Sequence, residues 1–244
     1  MLRINSPEEL AIKIDYTNLN NTLQKEDIDN LVKKASEYGF YSVVVSPYFV
    51  KYAKSLLKDS PTKLVTVAGF PLGYSNEKAK RKEAKLAVKS GIDELDMVAN
   101  IQALKIGDID TVAEDIAKVR EVTEGKILKV IIEAELLSDS EIIKISEIIA
   151  NSGADYIKTS TGMSGQPPKI ANILSIRKTA PNLKVKASGG IRDYKTAIRL
   201  ISAGTDRIGT SSGDLIIEEY KRMLNIGAKK YLNENETETK RFLD

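Results

Sequence analysis

Asp155-Tyr-Ile-Lys158-Thr-Ser-Thr-Gly162 and Leu183-Lys-Val-Lys186-Ala-Ser-Gly-Gly190 decide the architecture. Each is a short run of strand-forming residues closed by hydroxyl side chains and glycine, and each carries a lysine where a buried strand would hold an apolar residue. The two lysines lie one strand-loop-helix unit apart, the spacing of neighbouring strands in a parallel sheet, which directs both ammonium groups into one pocket.

The same alternation extends in both directions. Short β-rich runs cover Ile12 to Tyr16, Tyr41 to Ser46, Lys63 to Gly69, Glu94 to Asn100, Leu128 to Glu135, Tyr156 to Ser160, Lys184 to Gly189 and Arg207 to Thr210. Stretches with helical apolar spacing fall between them, at Lys25 to Tyr38, Glu77 to Ser90, Ile109 to Val122, Ser138 to Asn151, Asp193 to Ala203 and Leu215 to Leu224. Gly39, Gly91, Gly153 and Gly204 each sit just past a helical stretch, as left-handed C-caps would. Eight βα units closing on themselves predict a single-domain TIM (β/α)8 barrel over residues 1–244, with a polar tail from about Lys229; an open doubly wound sheet is the alternative if one or two strands fail.

Composition narrows the chemistry. The 37 basic and 34 acidic residues leave a net charge of +3 with lysines scattered among acids, a pattern of solvated helix faces and not of a nucleic-acid stripe. No cysteine is present, which removes disulfides and thiolate chemistry and suits a reducing, cytoplasmic setting. Histidine is absent as well, so proton transfer falls to Asp, Glu, Lys, Tyr or water, and zinc catalysis is not expected. No cofactor is expected. No apolar run approaches the ~20 residues needed to span a bilayer, so no membrane partner is expected.

Alternation then assigns strand faces. Leu95, Met97 and Ala99, Val130, Ile132 and Ala134, and Val185 and Ala187 suit the helix layer. That turns Glu94, Asp96 and Val98, then Lys129, Ile131 and Glu133, then Lys184, Lys186 and Ser188 inward, so that Asp96, Lys129, Lys158 and Lys186 converge. A buried ion-pair network filling a polar core is one explanation. The loops that follow favour a site instead: Thr159-Ser-Thr-Gly162, Ser188-Gly-Gly-Ile-Arg192 and Gly209-Thr-Ser-Ser-Gly213 combine glycines, hydroxyls and following helix starts, the makings of a phosphate cradle after the late strands of a barrel. Gly69-Phe-Pro-Leu-Gly73 reads equally as a tight turn.

The chain resembles the 2-deoxyribose-5-phosphate aldolase family, class I aldolases, over nearly its whole length. The segments that carry the resemblance are Ile14-Asp-Tyr-Thr17, Val45-Ser-Pro-Tyr48, Val67-Ala-Gly-Phe-Pro-Leu-Gly73, Glu94-Leu-Asp-Met-Val98, Leu128-Lys-Val-Ile-Ile-Glu133, Ile157-Lys-Thr-Ser-Thr-Gly162, Val185-Lys-Ala-Ser-Gly-Gly-Ile-Arg192 and Ile208-Gly-Thr-Ser-Ser212. The resemblance implies a TIM barrel that needs no metal, is often a homo-oligomer, and cleaves a sugar phosphate reversibly to acetaldehyde and glyceraldehyde 3-phosphate. It implies Lys158 as the Schiff-base lysine, Lys186 as the lysine that perturbs it, and Asp96 as the acid/base partner working with water. Gly162, Gly189, Gly190, Arg192, Gly209, Ser211 and Ser212 match positions around the substrate phosphate, and Asp15 and Thr17 a polar pair at the end of the first strand. Lys129, from its inward face, and Thr159, from its loop, are counted with the substrate-binding residues. The chain departs from many relatives at Tyr16 and near Val44, where they carry His and Cys, at Met163, where some carry Lys, and at its end, which lacks their terminal tyrosine; Tyr231 is the nearest.

Imine chemistry needs a neutral amine. An ordinary lysine is only ~0.04% neutral at pH 7. A second ammonium ~6 Å away at an effective dielectric near 20 contributes roughly 2.8 kcal/mol of repulsion, about two pKa units, before burial adds more. A fructose-bisphosphate or transaldolase-like aldolase, or a non-catalytic phosphometabolite-binding barrel, would share many of these features.

Overall fold

The computed structural model describes residues 4–163 and 165–226. Eight parallel strands close in sequence order: β1 Ile14–Asn18, β2 Ser42–Val45, β3 Lys63–Ala68, β4 Glu94–Val98, β5 Ile127–Ile131, β6 Tyr156–Lys158, β7 Lys184–Ser188 and β8 Arg207–Thr210. Helices α1 Pro7–Ala11, α2 Lys25–Tyr38, α3 Val50–Leu56, α4 Glu77–Lys89, α5 Ile101–Lys105, α6 Ile109–Val122, α7 Asp139–Ala150, α8 Ile170–Thr179, α9 Tyr194–Ser202 and α10 (213–226) accompany them. Closure of β8 onto β1, through Ile14 opposite Ile208 and Asp15 opposite Gly209, rules out the open sheet. The expected polar tail, with Tyr231, lies outside the described residues.

The outer faces of the strands supply the main core. Leu95, Met97, Ala99, Val130, Ile132, Ala134, Val185 and Ala187, expected outward, all join one apolar cluster with helix residues such as Ile116, Ile145, Ile173 and Leu200. Burial at ~25 cal/mol per Å² of apolar surface makes this layer the principal stabilising term and pins the register, since a one-residue slip would exchange it with the charged face. The four expected C-cap glycines all have positive φ; Gly39, at φ 68°, lets the chain leave α2 in the left-handed conformation and enter β2.

Several boundaries differ from expectation. β1 starts and ends two residues later than the apolar pattern suggests, because Ser6 caps a short helix whose first residue is Pro7, its side chain accepting the Glu9 N–H. β5 stops at Ile131 and not at Glu135: Glu133 is left-handed, and Ala134–Leu136 form a single 3-10 turn despite the apolar run. Helices α1, α3, α5 and α8 are not among the expected stretches; α1, α3 and α5 span fewer than two turns and so show no repeated period, and Pro167 and Pro168 obscure the start of α8.

Register places the polar residues. Asp96 is opposite Lys129 on β4 and β5, and Lys158 is opposite Lys186 on β6 and β7, so each pair faces the barrel interior together. The interior is divided: Val44, Val65 and Val67 form a separate apolar cluster, with Leu19 and Phe70 against it, on the β2 and β3 side. Outside the barrel, Lys80 of α4 is fully buried, 2.6 Å from Asp115 of α6, and donates to the Val98 carbonyl at 2.9 Å, which fixes the end of β4 next to the site.

Candidate active site

One carboxylate organises the charged half of the barrel. Asp96 Oδ2 accepts from Lys158 Nζ at 3.0 Å and from Lys186 Nζ at 2.9 Å, while its Oδ1 accepts from Lys129 Nζ at 2.8 Å. The nitrogens of Lys158 and Lys186 are thus no farther apart than the sum of two hydrogen bonds. A lower tier supports them: Asp15 pairs with Lys186 at 2.5 Å and with Arg207 at 2.6 Å, accepts from Ser42 Oγ at 2.7 Å, and Arg207 reaches Glu94 at 3.1 Å while lying on the Tyr41 ring. Glu94 in turn holds Lys129.

Counting charge shows that the network carries one cation too many. Three carboxylates, Asp15, Glu94 and Asp96, face four cations, Lys129, Lys158, Lys186 and Arg207, all with side chains nearly inaccessible to water. A surplus charge in a dry interior is costly, and loss of one proton removes it. For Lys129, burial favours the neutral form but is outweighed by Asp96, Asp15 and Glu94, which hold its pKa above the ordinary value. Arg207 is likewise raised, burial being outweighed by Asp15 and Glu94. Lys158 goes the other way. Burial lowers its pKa most, Asp96 opposes, and Lys186 lowers it further, to about 8. Asp96 stays ionised: burial pushes its carboxyl up, but Lys129, Lys158 and Lys186 together hold it well below the usual carboxylate range. The expected emphasis on like-charge repulsion is therefore corrected, since burial is the larger cause and the second lysine adds to it.

With a pKa of about 8, roughly a tenth of Lys158 is neutral at pH 7. The rate of borohydride trapping of an aldehyde on Lys158 is expected to rise about tenfold per pH unit below about 8 and to level off above it. A profile still climbing steeply at pH 10 would show an ordinary lysine. Asp96, already ionised far below this window, adds no acid limb.

Lys158, 3% exposed, reaches the floor of a cleft of about 360 Å³ at the carboxyl ends of the strands. Thr17, Gly162, Gly189, Gly190, Arg192, Gly209 and Ser211 line it. Gly190, at φ 56°, lies so close to the carbonyl of Gly165 that a side chain would collide, and this keeps the loop after β6 packed on the loop after β7. Arg192 has no carboxylate partner among the described residues, which leaves its guanidinium available to an anion. The placement of three expected contact residues needs correction. Asp15, Lys129 and Thr159 are fully buried beneath the cleft, where Asp15 and Lys129 are committed to the ion-pair network and Thr159 exchanges hydrogen bonds with the Ser188 backbone. Ser212 does not line the cleft either, its N–H donating to Thr210 Oγ1 at 2.9 Å. Lys184, expected inward, is exposed, because it begins β7 at the open lower end. Sequence reasoning passed over Arg207 as a network member; the alternation that turns Gly209 inward would have turned Arg207 inward too. Thr161 and Ser188, read in the sequence as members of the loops after β6 and β7 and not as contact residues, also line the cleft.

A (β/α)8 barrel with a buried lysine of lowered pKa at its carboxyl-end cleft defines the class of Schiff-base aldolases. The DeoC/LacD family aldolase profile matches residues 10–216, and the chain belongs to that family. A protein of Caldicellulosiruptor saccharolyticus named deoxyribose-phosphate aldolase is 48% identical over 216 residues, covering 87% of this chain and 98% of the relative. One of Thermococcus kodakarensis with the same name is 47% identical over 215 residues, covering 86% and 96%. The solved structure of the tetrameric deoxyribose phosphate aldolase of Aeropyrum pernix superposes with a TM-score of 0.85 at 34% identity, covering 91% of this chain and 94% of that one.

Proposed function

We infer that this chain cleaves 2-deoxyribose 5-phosphate reversibly to acetaldehyde and glyceraldehyde 3-phosphate, through an imine on Lys158, in the breakdown of deoxyribonucleotides. The observation that carries the reading is the one surplus cation of the buried network, placed where the network meets the cleft. Neutral Lys158 attacks the aldehyde carbon of the open-chain sugar, and loss of water gives a protonated imine. The imine then draws in the electron pair of the breaking carbon–carbon bond as the adjacent hydroxyl loses its proton, releasing glyceraldehyde 3-phosphate and leaving an enamine. Protonation of the enamine carbon and hydrolysis release acetaldehyde and restore the amine.

Asp96 Oδ2, in contact with both amines, is the group through which protons reach and leave Lys158, with water as the carrier. Lys186 is the charged neighbour that adds to burial in lowering the Lys158 pKa, and Asp15 holds Lys186 in place. Gly162, Gly189, Gly190, Arg192, Gly209 and Ser211 receive the phosphate, and Thr17, on the strand next to β8, lines the same cleft. Leu19, which packs on the apolar cluster of Val44, Val65 and Val67, lines the cleft and suits the small unsubstituted end of the substrate. No group of three or more Asp or Glu side chains able to hold a metal ion occurs among the described residues.

The likeness to a tetrameric enzyme supports a homo-oligomer of single-domain subunits. The absence of cysteine suits a cytoplasmic setting. No helix among the described residues is long and apolar enough to cross a membrane. Incubation with 2-deoxyribose 5-phosphate is expected to yield acetaldehyde and glyceraldehyde 3-phosphate in equal amounts, with fructose 1,6-bisphosphate left uncleaved. Cleavage of the bisphosphate in preference to the deoxy sugar would replace this substrate with another.

A further inference from the structure

Glu133 stands two residues beyond β5 at φ 45° and ψ 58°, and it is the one residue other than glycine with positive φ among the described residues. In that conformation a side chain crowds the following carbonyl oxygen, a strain that glycine would not carry. The carboxylate gives the reason a glutamate stands there. Its Oε1 accepts the Thr161 backbone N–H at 3.0 Å and its Oε2 the Thr161 hydroxyl at 2.6 Å. One residue on, the Ala134 N–H donates to the Thr159 carbonyl at 2.8 Å, so the turn after β5 grips the turn after β6 at two points.

The gripped turn is a wall of the cleft. Thr161 is 8% exposed and lines it together with Gly162. Within the turn, Met163 N–H donates to Thr161 Oγ1 at 3.3 Å and Gly162 N–H to Ser160 Oγ at 2.9 Å, so the hydroxyl held by Glu133 is also the anchor for the residues that follow. Gly162 in turn packs against Gly189, with room for little more than a methyl group between them. The position of the turn after β6 therefore sets the width of the space between the loops after β6 and β7.

We propose that Glu133 is a positioning residue for the substrate phosphate: it clamps Thr161, and through it holds Gly162 against Gly189, so that the anion pocket keeps its width. It touches neither the reacting atoms nor the phosphate. Both of its oxygens are turned onto Thr161 donors. The proposal rests on the phosphate lying between the loops after β6, β7 and β8, as argued above.

The test compares kcat/KM for 2-deoxyribose 5-phosphate with kcat/KM for unphosphorylated 2-deoxyribose in Glu133→Gly, Glu133→Gln and Arg192→Leu. Glycine adopts φ 45° freely, so Glu133→Gly removes the clamp while preserving the backbone. It is expected to reduce the preference for the phosphorylated sugar ~10-fold or more, chiefly through KM, with acetaldehyde still trapped on Lys158 by borohydride. Glu133→Gln, whose amide oxygen can still accept the Thr161 N–H, is expected to recover part of the loss and stands in if the glycine variant folds poorly. An unchanged preference in both Glu133 variants while Arg192→Leu collapses it would overturn the clamp alone. An unchanged preference in all three would overturn the phosphate placement and the clamp with it, and loss of trapping on Lys158 in a folded Glu133 variant would show that Glu133 acts on the lysine.

Discussion

Replacing Lys158 with leucine is expected to abolish turnover, by on the order of 10⁴-fold or more, because no other amine can take over imine formation. Lys129 and Lys186 are nearby, but each is tied to two or more carboxylates and neither lines the cleft. Borohydride with acetaldehyde should add a stable mass to the peptide containing residue 158 in the parent chain and nothing in the variant. Stability should change little. Lys158 has Asp96 as its one carboxylate partner, and Asp96 retains Lys129 and Lys186 in the variant. Three carboxylates then face three cations, so the site no longer holds surplus charge. Normal cleavage by Lys158→Leu would show that the nucleophile lies elsewhere.

Asp96→Asn should have nearly as large an effect, of a different kind. Asparagine keeps the shape, yet its amide can accept from only some of the three ammonium groups that now meet the carboxylate, and its NH2 faces one of them. Removing one partner of a buried charge cluster typically costs 3–5 kcal/mol, about that expected here as a fall in the urea unfolding midpoint. Turnover should fall by about 10²- to 10⁴-fold through loss of proton transfer. The Lys158 pKa, however, should fall further, because Asp96 is the principal group holding it up. Trapping on Lys158 near neutral pH should therefore persist or quicken in folded enzyme while turnover collapses.

The pH dependence of the stability difference follows from the sign of the Asp96 shift. Its carboxyl is lowered in the folded protein, so the stability it contributes is present above the unfolded carboxylate pKa of ~3.9 and is lost as pH falls toward the folded value. The gap between the parent chain and Asp96→Asn should narrow below ~3.9 as Asp96 gains its proton, and should also shrink as pH rises toward about 8, where the parent's Lys158 loses a proton that the variant's has already lost. A variant as stable as the parent, with unimpaired turnover, would remove Asp96 from the chemistry.

Strand order, the outward apolar layer and the glycine-capped βα turns were legible in the chain because they follow from period and local backbone preference. The inward direction of Asp96, Lys129, Lys158 and Lys186 followed from the same alternation. Depth did not. Asp15 and Lys129 resemble binding residues as types, but they sit a tier below the cleft, and strand alternation reports which face a side chain is on without reporting how far it lies from the open end. Glu133 was hidden for a related reason: its apolar neighbours read as a continuing strand, and the left-handed turn that aims its carboxylate at Thr161 depends on a partner on another strand.

The sequence by itself determined an eight-unit barrel with two lysines on adjacent inward faces and glycine-hydroxyl loops after the last three strands, since these depend on spacing along the chain. Only the tertiary structure gives the physical reason that Lys158, of the four cations in the network, has a lowered pKa. The lowering depends on burial and on distances among Asp15, Glu94, Asp96 and their partners, residues brought together from β1, β4, β5, β6, β7 and β8 by closure of the barrel. Electrostatic energy falls with separation in space and rises as water is excluded, and neither quantity is written in the order of residues.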